Sequence, residues 1–535
     1  MSTTLPLPRA RRVRALALAA LGLALALPER PAEAQTRRRS ASSQSQSRKR
    51  TKSRRARRPA PRAVAASPAP RYTAPTTAAA LTADLGTILG GGNRGGQWGA
   101  LVVSLTRGDT LFKYNADQPL LPASTMKMFT AALAFDRFGP DYRFSTDVLR
   151  DGEVDANGTL KGNLYLRGDG DPSLAARYYG GQADAPMDAL ARLVASKGIK
   201  RVTGAVIGDA SAFEERRIPE GWLSRYLQAG YAARVSALSI NENLVAVAVY
   251  PGEGGGAARV VTEPASTAIQ LTNNVRTRAG GGSSIAVSRD PRTEAITVRG
   301  WIGTRSVPRK YLYVIEDPAR FTTGSLAAAL QRAGVQVDGG INVGPTPRGA
   351  DRVAALVSRP LREIISAMDR ESINIFAELL FRNAARGPER EGVGSAERGN
   401  ALLRQFLSEK AKVPVENVSV KDGSGLSTMD YVTPRAMVHL LGYAHDAPWS
   451  ADFHASLPVA GESETLRGRM RGTPAQGNLH AKTGTTNEVI SLGGYVTAVN
   501  GEILGFSFIF NGVDRWNARA TIDAMGATLA GFVRE

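Results

Sequence analysis

Hydrophobic and polar positions are arranged differently in the middle of the chain and in its two flanks. Between residues 145 and 350, short β-branched runs recur between Gly, Asn and Pro residues, as in Leu244–Tyr250 and Ile285-Ala286-Val287. Such runs are typical of strands, so this middle part is predicted to be rich in β-structure. In the flanks the pattern predicts strands at residues 98–105, 110–114, 489–499 and 502–510. It also predicts one closing helix at residues 515–533.

Residues 122–135 begin with a proline and continue as a run of helix-compatible, mostly apolar residues. Ser124 and Lys127 stand three positions apart, so on a helix they share one face within side-chain reach. A serine at a helix N-terminus gains from the positive end of the helix dipole, and a desolvated lysine can act as a base. The motif alone fits a candidate nucleophile and base, but a serine cap with a surface lysine is the simpler interpretation.

Two more short motifs follow along the chain. Residues 371–380 show an amphipathic pattern that predicts a helix with Ser372 and Asn374 near its start. Lys482-Thr483-Gly484-Thr485 precedes a strand-like apolar run. The order S-x-x-K, S-x-N, K-T-G is the signature of penicillin-recognising serine enzymes. A competing S-x-N at Ser239-Ile240-Asn241 runs into a predicted strand, so the helix context favours Ser372 and Asn374.

Composition narrows the chemistry further. The 535 residues include no cysteine and only four histidines, none of them in a closely spaced pair. The lack of cysteine excludes disulfides, thiolate metal sites, iron–sulfur clusters and a cysteine nucleophile. A histidine-built metal site is not expected either, and no cofactor is predicted.

The formal net charge of +20 is concentrated near the N-terminus. Residues 35–62 carry twelve Lys or Arg and no Asp or Glu. Residues 35–80 contain almost no large apolar residues, so they are predicted to form a basic, disordered linker. Clustered arginines could bind nucleic acid, but no nucleic-acid partner is expected for an exported chain. A solvated linker or electrostatic association with anionic envelope polymers fits better.

The first 34 residues have the composition of an export signal. Arg9, Arg11, Arg12 and Arg14 precede a 13-residue apolar run at residues 15–27, and Ala32-Glu33-Ala34 fits a cleavage site. The run is too short for a transmembrane helix, and no later segment offers 18 uninterrupted apolar residues. The mature chain is therefore expected to be exported, as a periplasmic or cell-envelope-associated protein without a transmembrane segment.

With all three motifs in place, the sequence resembles the peptidase S13 family. These are low-molecular-mass class C penicillin-binding proteins that act as D-alanyl-D-alanine carboxypeptidases and endopeptidases. The resemblance extends from about Leu81 to the C-terminus. Further stretches that resemble the family lie at residues 168–174, 206–209, 235–239, 422–427 and 457–461.

The spacing of the motifs predicts a divided domain. Ser124 and Ser372 are separated by 372 − 124 = 248 residues, which is enough for one or two inserted domains. The resemblance implies a mixed α/β fold, with a split β-lactamase-like transpeptidase domain at residues 81–145 and 351–535. The inserted β-rich domain or domains would occupy residues 146–350.

The resemblance also implies a role for each motif residue. Ser124 would attack the carbonyl of the penultimate D-alanine with Lys127 as general base, and an acyl-enzyme would form. Ser372 would relay a proton to the leaving nitrogen, while Asn374 would fix Lys127 and the substrate amide. Lys482 would supply positive charge, and the Thr483 hydroxyl would hold the terminal carboxylate. The expected substrate-binding residues are Lys482, Thr483, Gly484 and Thr485. The backbone N–H groups of Ser124 and Thr485 would form an oxyanion hole.

The expected partners are peptidoglycan stem peptides and β-lactam antibiotics. Two other classes stay open at this point. A β-lactamase-type hydrolase would share Ser124, Lys127 and Lys482 but would hydrolyse the drug adduct quickly. A noncatalytic envelope-binding protein would keep the fold and use the basic tail.

Overall fold

The computed structural model describes residues 71–91, 95–290 and 293–535. The predicted signal peptide and most of the predicted basic linker lie outside these ranges. The first helix begins at Ala78, inside the segment predicted as linker. Among the described residues, no helix combines the length and the hydropathy needed to cross a membrane.

Four of the ten α-helices in the described residues begin at a side-chain cap. The side chains of Thr77, Asp317, Ser395 and Thr433 each accept a hydrogen bond from the backbone N–H three residues later, which satisfies one otherwise unpaired donor of the first turn. The helices of the described part are, in chain order, α1 (Ala78–Gly90), α2 (Met126–Phe138), α3 (Ala185–Ser196), α4 (Pro318–Arg332), α5 (Leu361–Glu371), α6 (Asn374–Arg386), α7 (Ala396–Glu409), α8 (Pro434–Asp446), α9 (Ser450–Ser456) and α10 (Arg515–Ala530).

The strands are short and concentrated in the middle of the chain. In chain order the described residues form β1 (Gly96–Ser104), β2 (Thr110–Tyr114), β3 (Ser145–Arg150), β4 (Thr159–Leu160), β5 (Leu164–Arg167), β6 (Arg201–Val202), β7 (Val206–Asp209), β8 (Leu244–Tyr250), β9 (Arg259–Glu263), β10 (Leu271–Arg278), β11 (Ser283–Arg289), β12 (Ile296–Gly303), β13 (Arg309–Val314), β14 (Gln336–Val337), β15 (Ile341–Val343), β16 (Asp351–Val357), β17 (His480–Thr485), β18 (Val489–Thr497) and β19 (Ile503–Gly512). The hairpin predicted between residues 98 and 114 is present as β1 and β2.

One antiparallel sheet joins the beginning and the end of the described chain. Its spatial order is β17-β18-β19-β1-β2. Alternate residues of β19 face opposite sides of the sheet: Phe506, Phe508 and Phe510 pack with helices α1 and α10, whereas Ile509 packs with α2 and α8. The K-T-G strand β17 is therefore the edge strand of a sheet that is covered by helices on both faces.

Helix α2 forms the centre of the larger hydrophobic core. Every residue from Met126 to Phe135 is buried, because the segment is apolar around its whole circumference apart from Lys127 and Thr130. Helix α6 is equally buried and packs against α2. The two helices that carry the S-x-x-K and S-x-N motifs are thus held side by side.

The chain between these two helices contains the other four sheets of the described residues. One has five strands in the order β15-β7-β5-β3-β16, and three have three strands each: β10-β12-β11, β13-β8-β9 and β14-β6-β4. The β-rich character predicted for residues 146–350 is present, together with the two helices α3 and α4. The domain boundaries at residues 145, 146, 350 and 351 stay predictions.

Candidate active site

Ser124 lies in a tight turn at the start of α2. Residues Ala123–Thr125 form a single 3₁₀ turn after Pro122, and the α-helix proper begins at Met126. The residue before the serine, Ala123, has a φ of +48°, a conformation that costs free energy for a residue with a side chain and is frequent at functional sites. The turn leaves Ser124 partly exposed, although its two chain neighbours are buried.

The Lys127 amine lies directly behind the Ser124 hydroxyl. Its Nζ is 3.0 Å from Ser124 Oγ, 2.6 Å from Asn374 Oδ1 and 2.8 Å from the carbonyl oxygen of Ser424. Lys127 is fully buried. Burial lowers the pKa of its ammonium from 10.5 to about 8, against the opposing field of buried carboxylates, of which Asp422 has the largest effect. A sizeable fraction of neutral amine is therefore present near neutral pH.

Ser372 and Asn374 lie at a break between two helices. The predicted helix over residues 371–380 is wrong in its start, because α5 ends at Glu371 and α6 begins only at Asn374. Ser372 adopts a left-handed conformation (φ +62°, ψ +42°), which no local pattern of apolar residues signals. The Asn374 Nδ2 donates to the Tyr231 carbonyl at 2.8 Å, so its Oδ1 faces Lys127.

Lys482 is the second fully buried amine of the site. Its Nζ donates to Ser372 Oγ at 2.9 Å and to the Thr483 carbonyl at 2.9 Å. Burial lowers the pKa of Lys482, the nearby charge of Lys127 lowers it further, and the carboxylate of Asp369 acts in the opposite direction. Each serine hydroxyl thus contacts one buried amine.

The K-T-G strand passes very close to the Ser124 turn. A Cβ at Gly484 would lie 2.6 Å from the Pro122 carbonyl oxygen and 3.1 Å from the Ser124 nitrogen, so only glycine permits this approach. The N–H of Ala481 points away from β18 and donates to the Pro458 carbonyl. The N–H groups of successive residues point to alternate sides of a strand, so the N–H groups of Thr483 and Thr485 point to the same outer edge as that of Ala481. Next to Ser124, this edge has no strand neighbour among the described residues.

The structure brings the predicted residues together in two contacting sets and leaves the competing motif elsewhere. Ser124, Lys127 and Asn374 form one set, and Ser372, Lys482 and Thr483 form the other. The Ser239 hydroxyl instead donates to the Ser236 carbonyl in a buried loop.

Two contributors to the site were not predicted as individual residues. The Ser424 carbonyl belongs to residues 422–427, a stretch that the resemblance implied would border the active site but that also fitted a simple Gly-rich turn, and this carbonyl contacts Lys127. Asp369, fully buried on α5, accepts a hydrogen bond from the Ser456 hydroxyl at 3.1 Å. A lone acidic residue in an amphipathic helix gives no signal of this kind, since surface carboxylates are common there.

This arrangement is suited to covalent catalysis by a hydroxyl group. A partly exposed hydroxyl in contact with a partly deprotonated amine is an activated nucleophile. A second hydroxyl, in contact with another buried amine, can transfer a proton. The open edge of β17 can pair with an extended peptide and can direct backbone N–H groups at its carbonyl.

Comparison with known proteins agrees with this chemistry. The model of the D-Ala-D-Ala carboxypeptidase 3 (S13) family matches residues 81–531. A D-alanyl-D-alanine carboxypeptidase of Actinomadura sp. (strain R39) is 34% identical over 449 residues, which cover 81% of each chain. The D-alanyl-D-alanine carboxypeptidase DacB of Haemophilus influenzae is 25% identical over 425 residues, covering 78% of this chain and 86% of the relative.

A solved structure supports the fold assignment. The crystal structure of penicillin-binding protein 4 (dacB) from Haemophilus influenzae superposes with a TM-score of 0.68 at 24% identity, covering 84% of this chain and 98% of that one. The same protein has also been solved in complex with a β-lactam. This similarity confirms the predicted mixed α/β fold class. Since the family model spans most of the chain and the Actinomadura relative matches four fifths of it, the chain belongs to the D-Ala-D-Ala carboxypeptidase 3 (S13) family.

Proposed function

We propose that the chain is a serine-type hydrolase of D-Ala-D-Ala bonds in peptidoglycan stem peptides, acting as a carboxypeptidase, a D,D-endopeptidase or both. It would bind penicillin through the same site. The observation that carries the proposal is the contact of Lys127 Nζ with Ser124 Oγ at 3.0 Å, beside the Lys482–Ser372 contact at 2.9 Å. Membership of the S13 family supports the substrate class.

Acylation begins with attack of Ser124 Oγ on the carbonyl carbon of the penultimate D-alanine. Neutral Lys127 takes the hydroxyl proton as the C–O bond forms, and the backbone N–H groups of Ser124 and Thr485 stabilise the negative oxygen of the tetrahedral intermediate. The close passage of Gly484 beside the Ser124 nitrogen supports this pairing of donors.

Departure of the terminal D-alanine needs a proton on its nitrogen. Ser372 donates this proton and is reprotonated by the Lys482 ammonium that contacts it at 2.9 Å. Lys482 and the Thr483 hydroxyl hold the terminal carboxylate, while Asn374 orients Lys127 and the substrate amide. Water then hydrolyses the ester on Ser124: Lys127 returns its proton to the Ser124 oxygen, and a proton released from the water restores the Lys482 ammonium.

Release of D-alanine tests the proposal and separates it from its two alternatives. The enzyme proposed here should release D-alanine from a D-Ala-D-Ala pentapeptide, or cleave the D,D-amide of a cross-linked peptide dimer, and should form a long-lived penicillin adduct. A β-lactamase-type hydrolase would turn over penicillin without accumulating the adduct. A noncatalytic envelope-binding protein would do neither. Failure to cleave either substrate at any pH between 6 and 10, with or without an adduct, contradicts the proposal.

We also propose that the chain is exported through residues 1–34 and that the basic segment contacts anionic envelope polymers. The twelve Lys or Arg in residues 35–62 support this electrostatic role. A mature chain lacking residues 35–70 should keep D-alanine release and lose salt-sensitive binding to isolated cell walls. Unchanged binding at low salt would reduce the segment to a spacer.

A further inference from the structure

The three contacts of Lys127 determine where its lone pair points. A neutral amine has two N–H hydrogens and one lone pair, and the oxygens of Asn374 Oδ1 and the Ser424 carbonyl can only accept hydrogen bonds. These two acceptors, at 2.6 Å and 2.8 Å from Nζ, therefore take the two hydrogens. The lone pair is left for the Ser124 hydroxyl at 3.0 Å. The Ser424 carbonyl thus shares with Asn374 the task of aiming the base.

The Ser424 carbonyl is itself aimed by a buried carboxylate. Asp422 Oδ1 accepts from the Gly425 N–H at 2.6 Å and from the Ser424 N–H at 2.9 Å. The Ser424 carbonyl and the Gly425 N–H belong to one peptide plane and point in opposite directions. Holding that N–H on Asp422 turns the carbonyl toward Lys127.

Close packing fixes the same peptide from the other side. Gly425 has a φ of +79°, and a Cβ there would lie 1.9 Å from the Ala123 carbonyl oxygen. The residue before the proposed nucleophile and the peptide after Ser424 are therefore in direct contact, and a side chain at position 425 would separate them.

The second oxygen of Asp422 is held from a distant part of the chain. Asp422 Oδ2 accepts from the Ser427 N–H at 2.8 Å and from the indole Nε1–H of Trp222 at 2.6 Å. Asp422 is completely buried and Trp222 nearly so. The Ser427 hydroxyl adds a bond to the Glu220 carbonyl at 2.7 Å. The sequence between the S-x-x-K and S-x-N motifs thus supplies one of the four N–H donors around the carboxylate, and the buried carboxyl of Asp430 is hydrogen-bonded to Asp422 as well.

We propose that Asp422 is a positioning residue for Lys127 in the reaction proposed above, and that Trp222 completes the set of hydrogen bonds that holds it. Asp422 acts through the Ser424–Gly425 peptide rather than by touching substrate. The inserted region is thereby part of the machinery that activates Ser124, in addition to any role in binding peptidoglycan.

Asp422 also acts on Lys127 through its charge. Among the charged groups that raise the pKa of Lys127, Asp422 has the largest effect. Removing its charge lowers that pKa, so the base becomes neutral at a lower pH. The other titratable groups that act electrostatically on Lys127 are Asp369, Glu378, Asp430 and Lys482.

The first test is the pH profile of penicillin acylation in Asp422→Asn. An amide cannot accept on its nitrogen, so two of the four donors lose their partner. We expect the maximal acylation rate to fall about 10- to 100-fold, the range for a buried charged hydrogen bond. We also expect the midpoint of the acid limb to move to lower pH. Asp209→Asn is the matched control, because Asp209 is a buried carboxylate with three hydrogen bonds on β7, and it should keep the wild-type rate and midpoint.

The second test removes only the indole donor. Trp222→Phe keeps the charge of Asp422 and most of the ring volume, so the maximal rate should fall without a shift of the midpoint to lower pH. Trp301→Phe is the control for the loss of an indole, since Trp301 stacks with Arg278 in the inserted region. If Asp422→Asn fails to fold, as judged by thermal unfolding, this pair decides the question.

The outcomes are distinct. A lower maximal rate together with a lowered midpoint in Asp422→Asn, and a lower rate in Trp222→Phe than in Trp301→Phe, supports the proposal. A loss of rate in Asp422→Asn with an unmoved midpoint, or equal rates in the two tryptophan variants, overturns it. If the wild-type chain itself is not acylated, the proposed function fails instead, so the two failures cannot be confused.

Discussion

The chain contains two S-x-N sequences, and the fold treats them in opposite ways. At Ser239-Ile240-Asn241 the serine is buried, donates to the Ser236 carbonyl at 2.7 Å and accepts from Asn243 Nδ2 at 2.9 Å. At Ser372-Ile373-Asn374 the serine lies partly exposed in a helix break and meets the buried amine of Lys482. The same three-residue pattern thus forms a loop whose polar groups pair with one another in one place and a serine–lysine contact in the other.

The difference lies in what surrounds each hydroxyl. The partners of Ser239 are a backbone carbonyl and an amide, which satisfy the hydroxyl without changing protonation. The asparagine of the buried copy is also used locally: Asn241 accepts from the Ala176 N–H at 3.2 Å and donates to the Leu244 carbonyl at 3.2 Å. The second motif differs because the fold places a buried lysine beside each of its polar side chains, Lys482 at Ser372 and Lys127 at Asn374.

The largest expected difference in acylation rate is between the variants that lack the Ser372 hydroxyl and the Ser239 hydroxyl. Ser372→Ala should slow penicillin acylation by about 10²- to 10⁴-fold, the usual contribution of a proton-transferring group. Ser239→Ala should leave the acylation rate unchanged, because that hydroxyl meets only neutral groups of its own loop. Stopped-flow acylation with a chromogenic β-lactam measures both. Equal rates in the two variants would remove Ser372 from the proposed mechanism.

The asparagines give the next largest contrast. Asn374→Ala removes an acceptor from Lys127 and should lower the acylation rate about 10- to 100-fold. Asn241→Ala should leave the rate at the wild-type value while destabilising the fold, since Asn241 has a φ of +48° that alanine tolerates poorly. The comparison is broken if Asn241→Ala lowers the rate as much as Asn374→Ala does.

The next effect is the dependence of the acylation rate on pH. Lys127 acts as a base only when it is neutral, and burial holds its pKa at about 8 rather than 10.5. The acylation rate should therefore rise about tenfold per pH unit below pH 8, and it should fall again at the higher pH where Lys482 loses the proton that it passes to Ser372. A rate constant that is independent of pH between 6 and 9 would contradict Lys127 as the base.

The smallest expected effect is on stability, and here the substitution in the Ser239 motif should cost more than the one in the Ser372 motif. Ser239→Ala should lower the free energy of unfolding by about 1–3 kcal/mol, because Asn243 Nδ2 loses a buried acceptor. Ser372→Ala should cost less, since Ser372 is partly exposed and water can replace its hydroxyl. Urea unfolding measures both values. A larger loss of stability in Ser372→Ala would show that the hydroxyl is mainly structural.

Local sequence patterns predicted much of the fold around the site. The apolar run after Pro122 predicted the position of α2, and the strand-like run after Gly484 predicted β18. The start of α6 was missed because Ser372 takes a left-handed conformation, which the helix period does not report. The pattern of short runs also indicated a β-rich insert without indicating how many sheets it forms.

The residues that tune the site could not be predicted in the same way. Asp369 and Trp222 act through contacts with residues far away in the sequence, such as the bond between Trp222 Nε1 and Asp422 Oδ2 at 2.6 Å. A single residue of this kind has no periodicity and no fixed spacing to a motif. Only the three-dimensional arrangement shows that it is buried and which group it holds.

The central claim is that Ser124 is the nucleophile, and the site of penicillin attachment tests it most directly. Trypsin should release residues 114–127 as one peptide with Ser124 as its sole serine, and residues 371–382 as another with Ser372 as its sole serine. After incubation with penicillin, peptide mass spectrometry should find the adduct on the first peptide, and Ser124→Ala should abolish it in a folded protein. An adduct on the peptide that contains Ser372, or one that persists in Ser124→Ala, would contradict the account.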